Sequence, residues 1–385
     1  MQAERLRGIP PTIFSEMSAL AVRTRAINLG QGFPDQDGPP SVIAQAVAAL
    51  QGGANQYAPG IGIPALRQAI ARHQRRHYGL ELDPDSQVVV TTGCTEGIAA
   101  ALLGLVNPGD EVIVLEPYYD SYVAMLQMAG GVRRPVTLRA PEFRLDPAAL
   151  EAAVGPRTRF LLVNSPHNPT GTVLTADELA ALASLAIAHD LIVITDEVYE
   201  HLTYDGTQHL PLASLPGMFE RTLTLSSAGK SYSFTGWKVG WATGPAELVG
   251  AVLAAKQWLT FTSGAPLQPA IAHALDDEPD FPTQLARDLQ ARRDLLCTGL
   301  AAAGLPARPP SGTYFATTDI SQLGWPDGRA FCLALPERAG VVAIPAQTFY
   351  DDLDEGRQLV RWAFCKDASV IEEGLRRLVG ADLHC

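Results

Sequence analysis

Apolar residues along the chain fall into two alternating patterns. Runs of five or six β-prone residues recur at 87–92, 111–115, 159–163, 191–195 and 221–225, nearly all apolar at 191–195 and rich in Thr and Leu at 221–225. Runs this continuous suit strands buried on both faces of a parallel sheet. Between and after them lie stretches of helical spacing at 98–106, 176–189 and 245–261. Alternation of the two from 87 to 260 predicts right-handed βαβ units in an α/β, doubly wound, mainly parallel sheet. Upstream, Phe14 and Met17 anchor a short helical piece, and 26–29 reads as a short strand breaking into a Gly-rich turn. Helices are expected at 41–50, with Ser41 as N-cap, and at 64–78. Thr175 is expected to cap 176–189, with Asp177 and Glu178 in the first turn. Downstream, a helix over about 282–303 leads to an α+β pattern. Its strands are 312–315, 341–345 and 359–364, and its helices 328–339 and 369–379.

In doubly wound sheets, the loops at the strands' C-terminal ends line one ligand crevice. Those loops carry most of the chemistry here. The run 221–225 empties into a small, polar, Gly-containing loop, 226–240, that displays Lys230 and Lys238 with hydroxyls beside each. Lys230 could form a Schiff base with an aldehyde once its neighbours lower its pKa. Lys238, Ser227 and nearby N–H groups could hold a phosphate. The turn Gly93-Cys94-Thr95-Glu96-Gly97, between a strand and a helix start, offers a second set of phosphate donors. Tyr119 ends a strand, where an aromatic either stacks on a planar ring or closes the core. The loop 164–171 presents Asn168, a donor for a phenolate or carboxylate, while His167 reads as a hydrogen-bonded loop histidine. Asp196 follows a fully buried strand, where an unpaired carboxylate is costly; a protonated ring nitrogen would offset that cost. Tyr199 lies three residues on. Arg361, inside an apolar strand, needs an anionic partner, either a structural carboxylate or that of a substrate.

Composition narrows the function classes. The net charge of −12 argues against nucleic acid and anionic membrane as partners. No apolar run is long enough to span a membrane, and the first eleven residues lack an apolar signal core. Five scattered cysteines form neither a CxxC nor a metal spacing with histidine, so no metal site is expected and a reducing cytoplasm is. Gly60-Ile61-Gly62-Ile63-Pro64-Ala65 matches a dinucleotide fingerprint only in letters. No β-run precedes it and Pro64 interrupts it, which removes an NAD-dependent oxidoreductase.

Taken together, Asn164 to Gly171, Asp196-Glu197-Val198-Tyr199, Ser227-Ala228-Gly229-Lys230 and Arg361 resemble the fold-type I, class I aminotransferases that use pyridoxal 5'-phosphate. Residues 28–35 and 235–240 resemble the kynurenine, methionine and glutamine transaminase branch. Residues 14–20, 37–40 and 264–270 look most like actinobacterial N-succinyldiaminopimelate aminotransferases. The resemblance implies a cofactor domain over 34–288, with 1–33 and 289–385 forming an N-terminal arm and a smaller α+β domain. It implies Lys230 as the Schiff-base lysine and proton carrier, Asp196 as partner of the ring nitrogen, and Tyr199 and Asn168 as partners of the ring's phenolic oxygen. Tyr119 would stack on the ring. Cys94 (through its backbone), Thr95, Ser227 and Lys238 would hold the phosphate. Tyr57 would reach the phosphate of a second subunit, which implies a homodimer. Arg361, with Gly32 and Asn168, would clamp an α-carboxylate. Phe14 and the partner's Phe261 would line the side-chain pocket. The expected reaction is ping-pong transfer of an amino group between an L-amino acid and a 2-oxo acid such as 2-oxoglutarate. A C–S or β-lyase on the same scaffold is the alternative, and a cofactor-sensing regulator is disfavoured by the charge.

Overall fold

The computed structural model describes residues 3–9 and 11–385. Helix α1 (Ile13–Thr24) turns Ile13, Met17, Leu20 and Ala21 inward, and Thr12 caps it by accepting from Ser15 N–H. Strand β1 (Ile27–Asn28) follows.

The seven-stranded sheet comprises β2 (Val88–Thr91), β3 (Glu111–Glu116), β4 (Val132–Thr137), β5 (Thr158–Asn164), β6 (Ile192–Asp196), β7 (Thr222–Ser227) and β8 (Gly240–Thr243), in the order β2-β8-β7-β6-β5-β3-β4. Strands β3 to β7 pair in parallel. Strand β8 runs antiparallel to both neighbours, and β2, at the sheet's edge, pairs only with β8. Sheet alternation sorts the side chains of β2 and β8 between two cores. Val89 and Ala242 join the large core, while Val88, Val90 and Trp241 join a smaller one. Helices α2 (Pro40–Gln51) and α3 (Pro64–Tyr78) build that smaller core.

Along the chain come α4 (Gly93–Leu105), which packs on β7 and β8, α5 (Asp120–Ala129), α6 (Pro147–Ala152) and α7 (Ala176–Ala188). The α7 N-terminus is a capping box: Thr175 accepts from Glu178 N–H, and the Glu178 carboxylate accepts from Thr175 N–H. Lys230 rides on a single turn, α8 (Ala228–Ser231). Helices α9 (Ala246–Lys256) and α10 (Leu267–Asp277) follow. The 22-residue α11 (Phe281–Ala302) leads to the last unit, where β9 (Phe315–Asp319) begins the chain's return. There α12 (Gly328–Ala339), β10 (Val341–Val342), β11 (Ile344–Pro345), β12 (Leu359–Ala363) and α13 (Ala368–Val379) form the rest. Strands β11, β12 and β9 make an antiparallel sheet, and β10 pairs with β1.

The structure corrects five element readings. The strand expected at 312–315 lies at Phe315–Asp319 instead. Ser41 is not the N-cap of α2: Pro39 is, and the Ser41 hydroxyl bonds Glu278 instead. Residues 93–97 are the first turn of α4, not a turn before it. The expected strand 341–345 is two strands in two sheets, because the chain crosses from β1 to β12 at Ala343. The helix expected to reach 261 ends at Lys256. Among the described residues, no helix is long and apolar enough to cross a membrane.

Candidate active site

A cavity of about 290 Å³ gathers the loops at the C-terminal ends of β5, β6 and β7, the N-terminus of α4, and Arg361 of β12. Of the sequence-predicted residues, Phe14, Gly32, Cys94, Thr95, Tyr119, Asn168, Asp196, Tyr199, Ser227, Lys230, Lys238 and Arg361 all line it. Tyr57 and Phe261 do not. Their rings meet edge to face at 5.3 Å on the outside of the chain, with Tyr57 83% exposed.

At one end, the free N–H groups of α4 carry the helix's positive pole. Gly93 holds φ +71° there, and a Cβ at that position would lie 3.2 Å from Lys238 Nζ. The glycine thus lets a cation stand against a helix N-terminus, with Ser227 on the same wall. This arrangement is built for a multiply charged anion.

Asp196 closes β6, buried beneath the cavity. Its Oδ2 accepts from Tyr122 Oη at 2.7 Å and its Oδ1 from Val198 N–H at 3.2 Å. Burial pushes the carboxyl pKa up, while these bonds pull it back. Among the described residues it makes no ion pair. A protonated ring nitrogen would supply the missing positive charge. Asn164 links this acid to the next loop: its Nδ2 donates to Asp196 O at 2.8 Å, and its Oδ1 accepts from Asn168 N–H at 2.8 Å.

Lys230 donates to Tyr314 Oη at 2.9 Å, and Tyr314 donates onward to Gly32 O. Burial, helped by Lys238, lowers the lysine pKa to about 8, against opposing effects of Cys365 and Asp196. A substantial neutral fraction near pH 8 gives a nucleophilic amine. Arg361 is 1% exposed. It donates to Asn168 Oδ1 at 2.9 Å and to Gly30 O at 2.9 Å, and its guanidinium lies 3.9 Å from the Phe315 ring centre. Its Nε has no partner. Burial lowers its pKa to about 10. Among the described residues no carboxylate forms an ion pair with it: both hydrogen-bond partners are neutral oxygens, and Asp120 acts on it only electrostatically, so the guanidinium has room for a directly bound anion.

His167 behaves as a loop histidine, its Nδ1 2.7 Å from Thr170 Oγ1. Sequence reasoning missed Tyr122 and Tyr314. Tyr122 carried one usable signal, its position three residues after Tyr119 on a helix face; their rings sit edge to face at 5.7 Å.

The donor set matches a phosphate, a planar ring with a basic nitrogen, an aldehyde carbon and a carboxylate, in that order across the cavity. Pyridoxal phosphate with an amino acid presents these groups. The family model for aminotransferase class I and II matches residues 24–378. The probable N-succinyldiaminopimelate aminotransferase DapC of Mycobacterium tuberculosis is 53% identical, with 98% of each chain covered. A solved structure of the N-succinyldiaminopimelate aminotransferase from that organism superposes with a TM-score of 0.97 at 53% identity, covering 99% of this chain and all of that one. The methionine aminotransferase of Escherichia coli is 40% identical, with 97% of each chain covered. These names are those of transaminases, not lyases. By family match, overall likeness and the contents of its cavity, the chain belongs to the class I and II aminotransferases, pyridoxal-phosphate enzymes that transfer amino groups.

Proposed function

We propose that the enzyme moves the amino group of an N-succinylated diamino acid of the diaminopimelate type to a 2-oxo acid such as 2-oxoglutarate, in two ping-pong half-reactions. The observation that carries an L-amino-acid substrate is Arg361: a buried guanidinium that, among the described residues, forms no ion pair, in the same cavity as a neutral-capable lysine. The 53% identity to a probable N-succinyldiaminopimelate aminotransferase supports the succinylated side chain. The cavity's aromatic wall, Phe14 and Phe315, favours a second reading, methionine or kynurenine type donors.

In this reading Cys94 N–H, Thr95, Ser227 and Lys238 hold the cofactor's phosphate, and Tyr119 covers its ring. Asp196, kept in place by Tyr122, holds the proton on the ring nitrogen. Tyr199 and Asn168 bond the phenolic oxygen. The bound cofactor supplies an electron sink for charge left at the substrate's α-carbon. Arg361, with Gly32 and Asn168, fixes the α-carboxylate, so the Cα–H bond faces Lys230. Lys230 Nζ would accept that proton and return it two atoms away, the 1,3-shift that transamination requires. Tyr314 steers the amine between these positions.

The same reading makes the enzyme a cytoplasmic homodimer. Tyr57 and Phe261 face away from their own cavity and complete that of a second copy, with Tyr57 on the phosphate and Phe261 on the side chain. Residues 34–288 form the cofactor domain, and 1–33 with 289–385 the smaller unit.

The test is a single half-reaction, with no oxo acid present, followed by loss of the cofactor–lysine absorption. Rapid loss with N-succinyl-LL-diaminopimelate, and slow loss with methionine, kynurenine and glutamine, is expected. The reverse ranking selects the second reading. Arg361→Ala should weaken every carboxylate-bearing donor by about 2–5 kcal/mol. Unchanged donor affinity would make Arg361 structural.

A further inference from the structure

Behind the β6–β7 strand ends lies a second polar cluster that transamination does not use. Neighbouring residues of a strand face opposite ways. Ser227 faces the cofactor cavity, whereas Ser226 donates to Glu200 on the far side. There His73 and His77, one helical turn apart on α3, meet His201 from the segment after β6. The three ring centres form a triangle with sides of 4.6, 4.8 and 5.0 Å. One nitrogen from each ring lies within 4.8 Å of the others.

Three features separate this cluster from an ordinary packed histidine. First, the Nε2 atoms of His73 and His201 point at each other, 2.7 Å apart. Two imidazole nitrogens in that position share either a proton or a cation. Second, the buried Gln74 places its amide 3.4 Å from His73 Nδ1, and its Oε1 has no partner. Turning that amide over would let Oε1 accept from Nδ1–H, the bond that orients a histidine ligating through Nε2. Third, the buried Glu200 carboxylate takes bonds from Tyr78 Oη, at 2.6 Å, and Ser226, and among the described residues it has no Lys or Arg in an ion pair. It stands beside the histidines as a negative charge without a fixed positive one. The Arg76 guanidinium, on the same helix as His73 and His77, is tied to Leu275 O at 3.0 Å.

We propose that His73, His77 and His201 bind one divalent cation of the zinc class, with solvent completing the shell. All-imidazole sites suit Zn²⁺, Ni²⁺ and Cu²⁺ over hard cations. Bonds of about 2.0–2.1 Å in a tetrahedral shell put ligand atoms roughly 3.3 Å apart, so His73 and His201 part by about half an ångström while separations of up to 4.8 Å in the cluster close toward that spacing. Exposed His77 gives the ion its entry path. Glu200 balances its charge. The ion staples the last turn of α3 to the segment that follows Asp196, giving a structural role outside the catalytic cavity.

The test uses tag-free holoenzyme, stripped with a chelator and titrated calorimetrically with Zn²⁺. One equivalent per chain is expected, with a rise in Tm. His77→Ala, at an exposed position that leaves the core intact, should weaken binding at least tenfold and abolish the Tm rise, with transamination unchanged. Cys385→Ser should change neither. Co²⁺ in place of Zn²⁺ should give visible ligand-field bands without a thiolate charge-transfer band. Absence of saturable uptake, uptake unaffected by His77→Ala, or a thiolate band would overturn the site.

Discussion

At the scale of residues, the site is assembled from groups held in their less comfortable ionisation states. Lys230 is the clearest case. Its pKa is lowered to about 8 from the ordinary 10.5, chiefly by burial. Between those values an unfolded chain still binds the proton that the folded chain has released. Stability of the cofactor-free enzyme therefore rises with pH across that window, and the penalty is fully present below pH 8. Urea titrations at about pH 7.5 and pH 9.5 should differ by about 1–2 kcal/mol more in the wild type than in Lys230→Met. An equal gain in the variant would assign the effect to other lysines. Residues whose chemistry is visible in their type were legible from sequence: a lysine in a small-residue loop, an aspartate after a buried strand, an arginine within one. Tyr122 and Tyr314 were not, because a buried tyrosine reads as core until its hydroxyl is seen on a carboxylate or an amine. The histidine cluster was hidden for another reason: His73 and His201 are 128 positions apart.

At the scale of elements, the phosphate pole depends on a close crossing of strand and helix. A Cβ on Gly240, at the start of β8, would lie 2.6 Å from the carbonyl carbon of Gly93 and 2.8 Å from Cys94 N, both backbone atoms that cannot swing aside. Gly240→Ala should therefore push β8 and α4 apart, costing about 1–3 kcal/mol by urea denaturation and weakening cofactor affinity further. Normal cofactor affinity in that variant would show that the α4 N-terminus is not the phosphate's seat. Elements with strong punctuation were legible to the residue. Helix α3 opens on Pro64 and closes on a left-handed Gly79, and α12 runs from a capping Asp327 to Gly340. Strand β8 was missed because Gly240-Trp241-Ala242-Thr243 is short and built of mostly small residues without a polar face. Residues 93–97 read as a turn for a similar reason: their small residues were chosen for approach to Lys238 and Gly240, not for helix propensity.

At the scale of the whole molecule, the apolar surface is distributed unevenly. Tyr57, Trp258, Leu259 and Phe261 are exposed on segments that pack together through the Tyr57–Phe261 contact and the bonds from Lys256 to Gly60 O and Phe261 O. Two loops held rigid while their largest side chains face outward suit an interface. On the proposed dimer, Trp258→Glu should shift the sedimentation equilibrium toward monomer, with activity falling in step if Tyr57 and Phe261 serve the second copy's cavity. A variant that stays active while sedimenting as a monomer would sink the shared-site reading. The overall α/β architecture was legible because its buried strands are almost uninterruptedly apolar. The outward-facing aromatics entered as candidate site residues only through the family resemblance, and they lie outside the chain's own cavity.

The order of the sheet also sets a timetable for synthesis. Strand β2 sits at an edge and its single partner is β8, about 150 residues later in the chain. A ribosome adding roughly 5–20 residues per second needs roughly 8–30 seconds to deliver that partner. For that interval Val88, Val89 and Val90 have no strand to lie against, and the helix turn that receives the phosphate has no Lys238 beside it. At the proposed phosphate seat, cofactor capture would therefore wait until nearly two thirds of the chain has been made.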